Sequence, residues 1–207
     1  MSEAASTVEV FADVCCPFTH VGLRRFVEIR DQLGRHDVGL VVRAWPLEIV
    51  NGEPLVASFV AEEVEVLRRT VAPDLFRRFV PEQFPSTSLP ALAVVAAAYR
   101  QSAATGEAVS LELRDILFEQ GVDISTPSVL DEVARRHGIR VDERDRESVH
   151  SDFAEGRERG VVGSPHFFTS GGAFFCPSLE VTRDERGELR VNVDREGLGA
   201  FIRSCFG

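Results

Sequence analysis

From Thr7 to Asp13 apolar and polar side chains alternate, the period of a strand with one buried face. The period then changes: Phe26, Ile29 and Leu33 recur at helical spacing up to Gly34, which predicts a helix from Pro17 to about Leu33. A second strand is expected over Leu40 to Trp45. Gly52, Pro54, Pro73, Pro81, Pro85 and Pro90 next punctuate the chain, and the patterns predict helices near Val56 to Thr70, Pro90 to Ala104, Ala108 to Gln120, Pro127 to His137 and Asp145 to Arg159. The Pro127 helix has the fullest end signals, with Thr126 as N-cap, Pro127 in the first turn and Gly138 just past the end. Pro165 to Thr169 and Phe174 to Val181 read as strands, and Glu185-Arg186-Gly187-Glu188 as a tight turn into a strand from Leu189 to Val193. A closing helix begins near Asp194, its core stripe formed by Leu198, Phe201, Ile202 and Cys205.

The first strand gives way to the first helix at Cys16-Pro17-Phe18-Thr19. Pro17 suits the first helical position, where its missing N–H would have had no partner. Cys16 is thereby placed among unpaired amides at the positive end of the helix dipole. A free thiol titrates near ~8.5, and such settings bring it to roughly 3.5 to 7.5. The expectation is a nucleophilic thiolate; the ordinary alternative is a buried structural cysteine.

A second segment, Gly160-Val161-Val162-Gly163-Ser164-Pro165-His166-Phe167-Phe168, places a proline at the head of an apolar strand after a glycine-flanked turn. With Asp13, Cys16, Pro17, Phe18, Thr19, His20 and Gly22, it resembles the thioredoxin-like proteins of the DsbA family, in which an Asp-x-x-Cys-Pro-x-Cys pattern meets a Gly-Val-x-Gly-x-Pro pattern. Arg43-Ala44-Trp45-Pro46-Leu47 adds to the likeness, which extends over nearly the whole chain. The resemblance implies an α/β thioredoxin-like fold with an inserted helical domain. Its discontinuous thioredoxin part would be residues 1–52 and 160–207, and its insertion residues 53–159. It also implies a cis Ser164–Pro165 bond, whose backbone edge lies beside the sulfur.

The chain departs from the pattern at Thr19, which stands where the second, resolving cysteine belongs. A mixed disulfide at Cys16 then lacks the usual neighbour to release it. Positions three apart share a helix face, so the Thr19 hydroxyl is a candidate donor to a Cys16 thiolate. Cys15 is excluded as resolving partner, because adjacent Cα atoms are about 3.8 Å apart and ordinary disulfides span roughly 4.4 to 6.8 Å. Cys176 is a possible resolving thiol if its strand neighbours that of Pro165, although free cysteines are usually small buried hydrophobes. His20 is a candidate partner or proton donor at the sulfur, or else a solvated polar residue. His166 is a candidate flanking group unless strand alternation turns it away. Phe18 and Trp45 either line an apolar substrate groove or pack the core. The spacing of Cys15, Cys16, His20, His166 and Cys176 matches no common zinc pattern, and no metal is expected.

With 207 residues and 44% apolar composition the chain can bury a sizeable core. A net charge of −10 opposes nucleic acid and anionic membranes as partners. All 23 basic residues are arginine, and the absence of lysine excludes Schiff-base catalysis and the P-loop lysine. The Met1 to Thr7 stretch has neither a positive n-region nor an apolar h-region, and no apolar run is long enough to span a bilayer, so a cytoplasmic protein is expected. Four cysteines in a reduced compartment read as free or catalytic thiols.

These readings converge on a thiol-disulfide oxidoreductase acting through Cys16 and Thr19, with Pro17, Phe18, His20, Ser164, Pro165 and His166 at the substrate. No tightly bound cofactor is expected; a low-molecular-weight thiol serves as co-substrate. The alternatives are a thiol-dependent transferase or isomerase, resembling the kappa-class glutathione transferases and 2-hydroxychromene-2-carboxylate isomerases, and a redox-silent binding module.

Overall fold

The computed structural model describes residues 6–207, so the first five residues read above for a leader lie outside the described part. The apolar alternation from Thr7 produces β1 (Thr7–Ala12), one of the two inner strands of a four-stranded sheet. β2 (Gly39–Ala44) runs parallel to it, with Val10 opposite Val42. On its other side β3 (His166–Thr169) is antiparallel, with Phe11 opposite His166, and β4 (Gly172–Phe175) completes the order β2-β1-β3-β4.

Strand alternation splits the core in two. Val8, Val10 and Phe167 face α1 (Pro17–Gln32) and the closing α8 (Arg195–Phe206), and bury Leu23, Phe26, Phe201 and Phe206. Each such side chain contributes about 1.5 to 3 kcal/mol by leaving water. Phe11 and Phe168 point to the other face and pack with Trp45, Val161 and Phe153 under α7 (Glu143–Glu158). Gly156 of α7 is required there, because a Cβ would come within 2.7 Å of the Trp45 ring and 2.9 Å of the Phe11 ring. Trp45, 4% exposed, is thus mainly core packing, one edge of it bordering a surface cleft with Ile49, Phe153 and Val161.

Between the two halves of the sheet the chain forms α2 (Leu47–Asn51), α3 (Ala57–Thr70), a 3-10 turn at Pro81–Gln83, α4 (Leu89–Gln101), α5 (Ala103–Phe118), α6 (Pro127–Arg136) and α7. This part has its own apolar core, from Val60 and Leu67 of α3 to Leu113 and Leu117 of α5, and it extends under Val14, Cys15 and Val21 of the first half. Tyr99 of α4 spans the boundary: its hydroxyl accepts from the Val42 N–H at 2.9 Å and donates to the Leu40 carbonyl at 3.1 Å. Asp152 of α7 likewise accepts the Ala44 N–H at 2.9 Å.

Three sequence expectations about these elements are corrected. The gap foreseen between Ala104 and Ala108 is helical, and the break lies at Ser102, whose hydroxyl caps α5 by accepting the Thr105 N–H at 3.0 Å. Gly106 then lets the two helices cross, since a Cβ there would run into the Tyr99 ring. Thr126 occupies the N-cap of α6 but its side chain makes no capping bond. The strand foreseen over Phe174 to Val181 is two strands: Cys176 takes a left-handed φ of 44°, and Pro177 brings no N–H to continue a ladder. β5 (Leu179–Arg183) therefore leaves the sheet and pairs only with β6 (Leu189–Val193).

Candidate functional site

Cys16 occupies the N-cap of α1 in extended conformation, with Pro17 opening the helix behind it. The first-turn geometry is regular, the Cys16 carbonyl accepting the His20 N–H at 3.2 Å. On the other side the Cys16 thiol donates to the Ser164 carbonyl at 3.2 Å. The Ser164–Pro165 bond is cis. Gly22 keeps α1 close to this loop, its hypothetical Cβ lying 3.5 Å from Pro165 Cγ. Two segments about 148 positions apart thus meet at one sulfur.

The ionisation differs from the sequence expectation. Cys16 is only 3% exposed, and burial pushes its thiol up to about 11. Hydrogen bonds from the Thr19 hydroxyl and amide and from the Ser164 side chain pull downward, while the Glu63 charge pushes further up. Helix amides and dipole lower a thiol where water or a counter-ion takes up the rest of the field. Here desolvation wins, and the resting group is a protonated thiol.

Thr19 is fully buried one turn along α1. Its hydroxyl lies 2.8 Å from Ser164 Oγ, which also accepts the Asp13 N–H at 2.9 Å. The residue in the resolving position therefore ties helix, strand end and proline loop together. Phe18 is half-buried against the core of the insertion.

Several candidates lie elsewhere. His20, 1% exposed, places its imidazole between Phe76 and Phe118 and bonds Glu119 at 2.8 Å. Glu119 also accepts the N–H groups of Phe76 and Arg77, and burial lowers the His20 pKa. His20 is a link between α1 and the insertion, not a substrate-facing group. His166 pairs with Phe11 and shares its face; Nδ1 accepts the Val162 N–H at 3.2 Å and the ring stacks on Phe168 at 5.0 Å. Strand alternation has turned it from the face that carries α1. Cys15 points into the core of the insertion and Cys205 into that of α8. Cys176 is buried, its N–H donating to the Pro165 carbonyl at 3.0 Å, and burial pushes its thiol up to about 12. All four cysteines are free.

Other residues carry more of the site than the sequence disclosed. The Asp13 carboxylate accepts the Cys15 N–H at 2.8 Å, the Leu47 N–H at 2.7 Å and the Ser88 hydroxyl at 3.1 Å. Glu48 of α2 continues the network, accepting from Thr87, from the backbone of Ser88 and Leu89, and from the Ser88 hydroxyl. Arg114 of α5 donates to the Asp13 carbonyl at 3.2 Å. Asp13 was visible as part of the motif, but nothing local marks Arg114, because a lone arginine in a helix reads as surface. Glu63, whose charge reaches Cys16, borders a cleft of about 530 Å³ together with Pro54, Leu55, Phe59 and Arg183; Cys16 itself does not line it. Burial holds the Glu63 carboxyl up at about 7. Among the described residues no cluster of three or more His, Cys, Asp or Glu is placed to hold a metal, and no helix is long and apolar enough to cross a membrane.

Comparison with known proteins places this geometry. The family model of the DSBA-like thioredoxin domain matches residues 7–184. Among solved structures, a candidate protein disulfide isomerase from Nitrosomonas europaea superposes with a TM-score of 0.63 at 14% identity, over 96% of this chain and 98% of that one. A 2-hydroxychromene-2-carboxylate isomerase gives a TM-score of 0.61 at 14% identity, over 82% and 88%. The cytosolic disulfide reductase DsbM from Pseudomonas aeruginosa gives 0.56 at 16% identity, over 95% and 97%. At these identities the likeness is one of fold. No curated protein matches the chain.

Proposed function

The chain belongs to the family of DSBA-like thioredoxin domains, and on that footing we propose that it is a thiol-disulfide oxidoreductase working through the single active-site thiol of Cys16. One observation carries the reading: Cys16 lies against the Ser164 carbonyl, and the position three residues on is a buried threonine bonded to the same serine. The attacking sulfur has its loop but no thiol in the adjacent helical turn.

The reaction is a thiolate attack on a disulfide. Cys16 loses its proton and gives up the Ser164 carbonyl, and its sulfur bonds one sulfur of the incoming disulfide. The other sulfur leaves as a thiolate and takes up a proton. The Ser164 backbone, freed of the thiol, is then available to hold the substrate as an added strand would be held. A second small thiol attacks the mixed disulfide and restores Cys16. Low-molecular-weight thiols are the co-substrate this route requires, and the DsbM relative, also solved with GSH, supports that choice. The work belongs in a reducing, cytoplasmic setting.

Incubation with an oxidised low-molecular-weight thiol, followed by peptide mass spectrometry, tests the reading. The expected result is an adduct on Cys16 that excess reduced thiol removes, and that is absent from Cys16→Ser. An unmodified Cys16 overturns the proposal, and a Cys16–Cys176 bridge replaces the external-thiol step.

The protonated state of Cys16 favours a second reading. A neutral thiol that donates to a carbonyl is also suited to donating to the sulfur of a bound cofactor thiol, as a transferase or isomerase would need. Cys16→Ser separates the two, since a hydroxyl keeps the donor and abolishes exchange.

A further inference from the structure

Behind Cys16 the interior holds a positive charge without a bound carboxylate. Arg114 is 1% exposed; its Nη1 donates to the Ser110 carbonyl at 2.8 Å and Ser110 Oγ at 2.7 Å, and its Nη2 to the Asp13 carbonyl at 3.2 Å. Its Nε has no partner among the described residues. Every acceptor it has is neutral. Taking a guanidinium out of water on such terms is costly, and folds retain buried charge where an opposite charge offsets it.

The acidic groups within its field are Asp13, Cys16, Tyr99 and Cys15. Asp13 directs its carboxylate at the amides of Cys15 and Leu47 and at Ser88. Tyr99 is committed to the backbone of β2, and Cys15 is sunk in the core of the insertion. Asp13 is the first of these and, when ionised, offsets part of the Arg114 charge; Cys16 comes next, and it is joined to Arg114 by one shared atom, since the Asp13 carbonyl that accepts Nη2 also accepts the Cys16 N–H at 3.4 Å.

We infer that Arg114 is a positioning residue for Cys16, its buried charge anchored on the Asp13 carbonyl and serving as the counter-charge that makes the Cys16 thiolate attainable. The inference deepens the reading above, in which that thiolate is the nucleophile. With Arg114 act the first amides of α1 and Thr19; against it stand Glu63 of α3, the Asp13 carboxylate when ionised, and the thiols of Cys15 and Cys176.

The test is the pH profile of Cys16 alkylation by iodoacetamide, read by peptide mass spectrometry so that the other three cysteines are resolved. Arg114→Met is expected to move the profile up by about one unit or more, about a tenfold loss of rate at neutral pH, and Arg114→Lys to restore most of it. Superimposable profiles, or equal shifts for the two variants, overturn the inference. Should neither fold, the melting temperatures of Cys16→Asp and Cys16→Asn at pH 8 decide: the inference requires the acid to be at least as stable, and a more stable amide overturns it. Alkylation reports ionisation and not exchange. A normal Arg114 effect without any disulfide exchange therefore sinks the activity alone, and exchange without an Arg114 effect sinks this inference alone.

Discussion

Behind Cys16, Asp13, Ser88 and Glu48 form a closed set of hydrogen bonds, with Arg114 attached through the Asp13 carbonyl; α3 and Arg183 of β5, by contrast, border an open cleft whose walls carry Glu53, Glu62 and Glu63. The closed side joins the end of β1, α2, the N-cap of α4 and α5. The open side is lined by residues that touch few others, Phe59 being 63% exposed. Arg114 of the closed set favours the thiolate, while the ionised Asp13 of the same set and Glu63 of the cleft oppose it, and the contrast teaches that the thiol is tuned by charges from both regions.

The contrast can be broken most forcefully from behind. Asp13→Ala removes the acceptor of two backbone amides and one hydroxyl, buried except for the half-buried Leu47 amide, and is expected to cost about 3 kcal/mol or more of stability, read as a lower urea midpoint. A loss under about 1 kcal/mol would show that the closed side is not closed. Next in size is Thr19→Val, which keeps the shape and removes the hydroxyl. The Cys16 profile should move up by about one unit, since a bond that pulled the thiol down has gone.

From the cleft the effects are smaller. Glu63→Gln should lower the Cys16 profile by about half a unit. The sign has a pH dependence: Glu63 is held up to about 7, so below that value it is largely neutral and the substitution changes little, while above it the wild-type carboxylate opposes the thiolate and the variant alkylates about threefold faster. A variant slower than wild type at pH 8 would reverse the assigned role. Phe59→Ala should change stability by no more than about 0.5 kcal/mol, while any effect on exchange with an apolar disulfide substrate would appear in KM.

The same division governs what the sequence disclosed. β1, α1, β2 and the Gly160 to Pro165 turn were legible because each is written in neighbouring residues: an alternation, a Cys-Pro junction, a glycine-flanked proline. The family resemblance then brought Cys16 and Ser164 together across the chain. What stayed hidden depends on contacts through space. The break at Ser102 follows from the Tyr99 ring crossing Gly106, and the bend at Cys176 from its bond to Pro165. His20 looked like a partner of the sulfur because it lies one turn away, yet Phe76, Phe118 and Glu119 of the insertion claim it. The protonation of Cys16 was missed for a related reason: a helix N-terminus is visible in a sequence, and the desolvation that outweighs it is not.

Tyr99 and Asp152 have an effect beyond fastening helices to the sheet. β2 is one of the two edge strands of the sheet, and the Val42 and Ala44 amides and the Leu40 carbonyl are the groups a foreign strand would have to meet on that edge. With a phenol and a carboxylate already seated on them, that margin offers no template for intermolecular pairing, and the molecule is protected there against edge-to-edge aggregation.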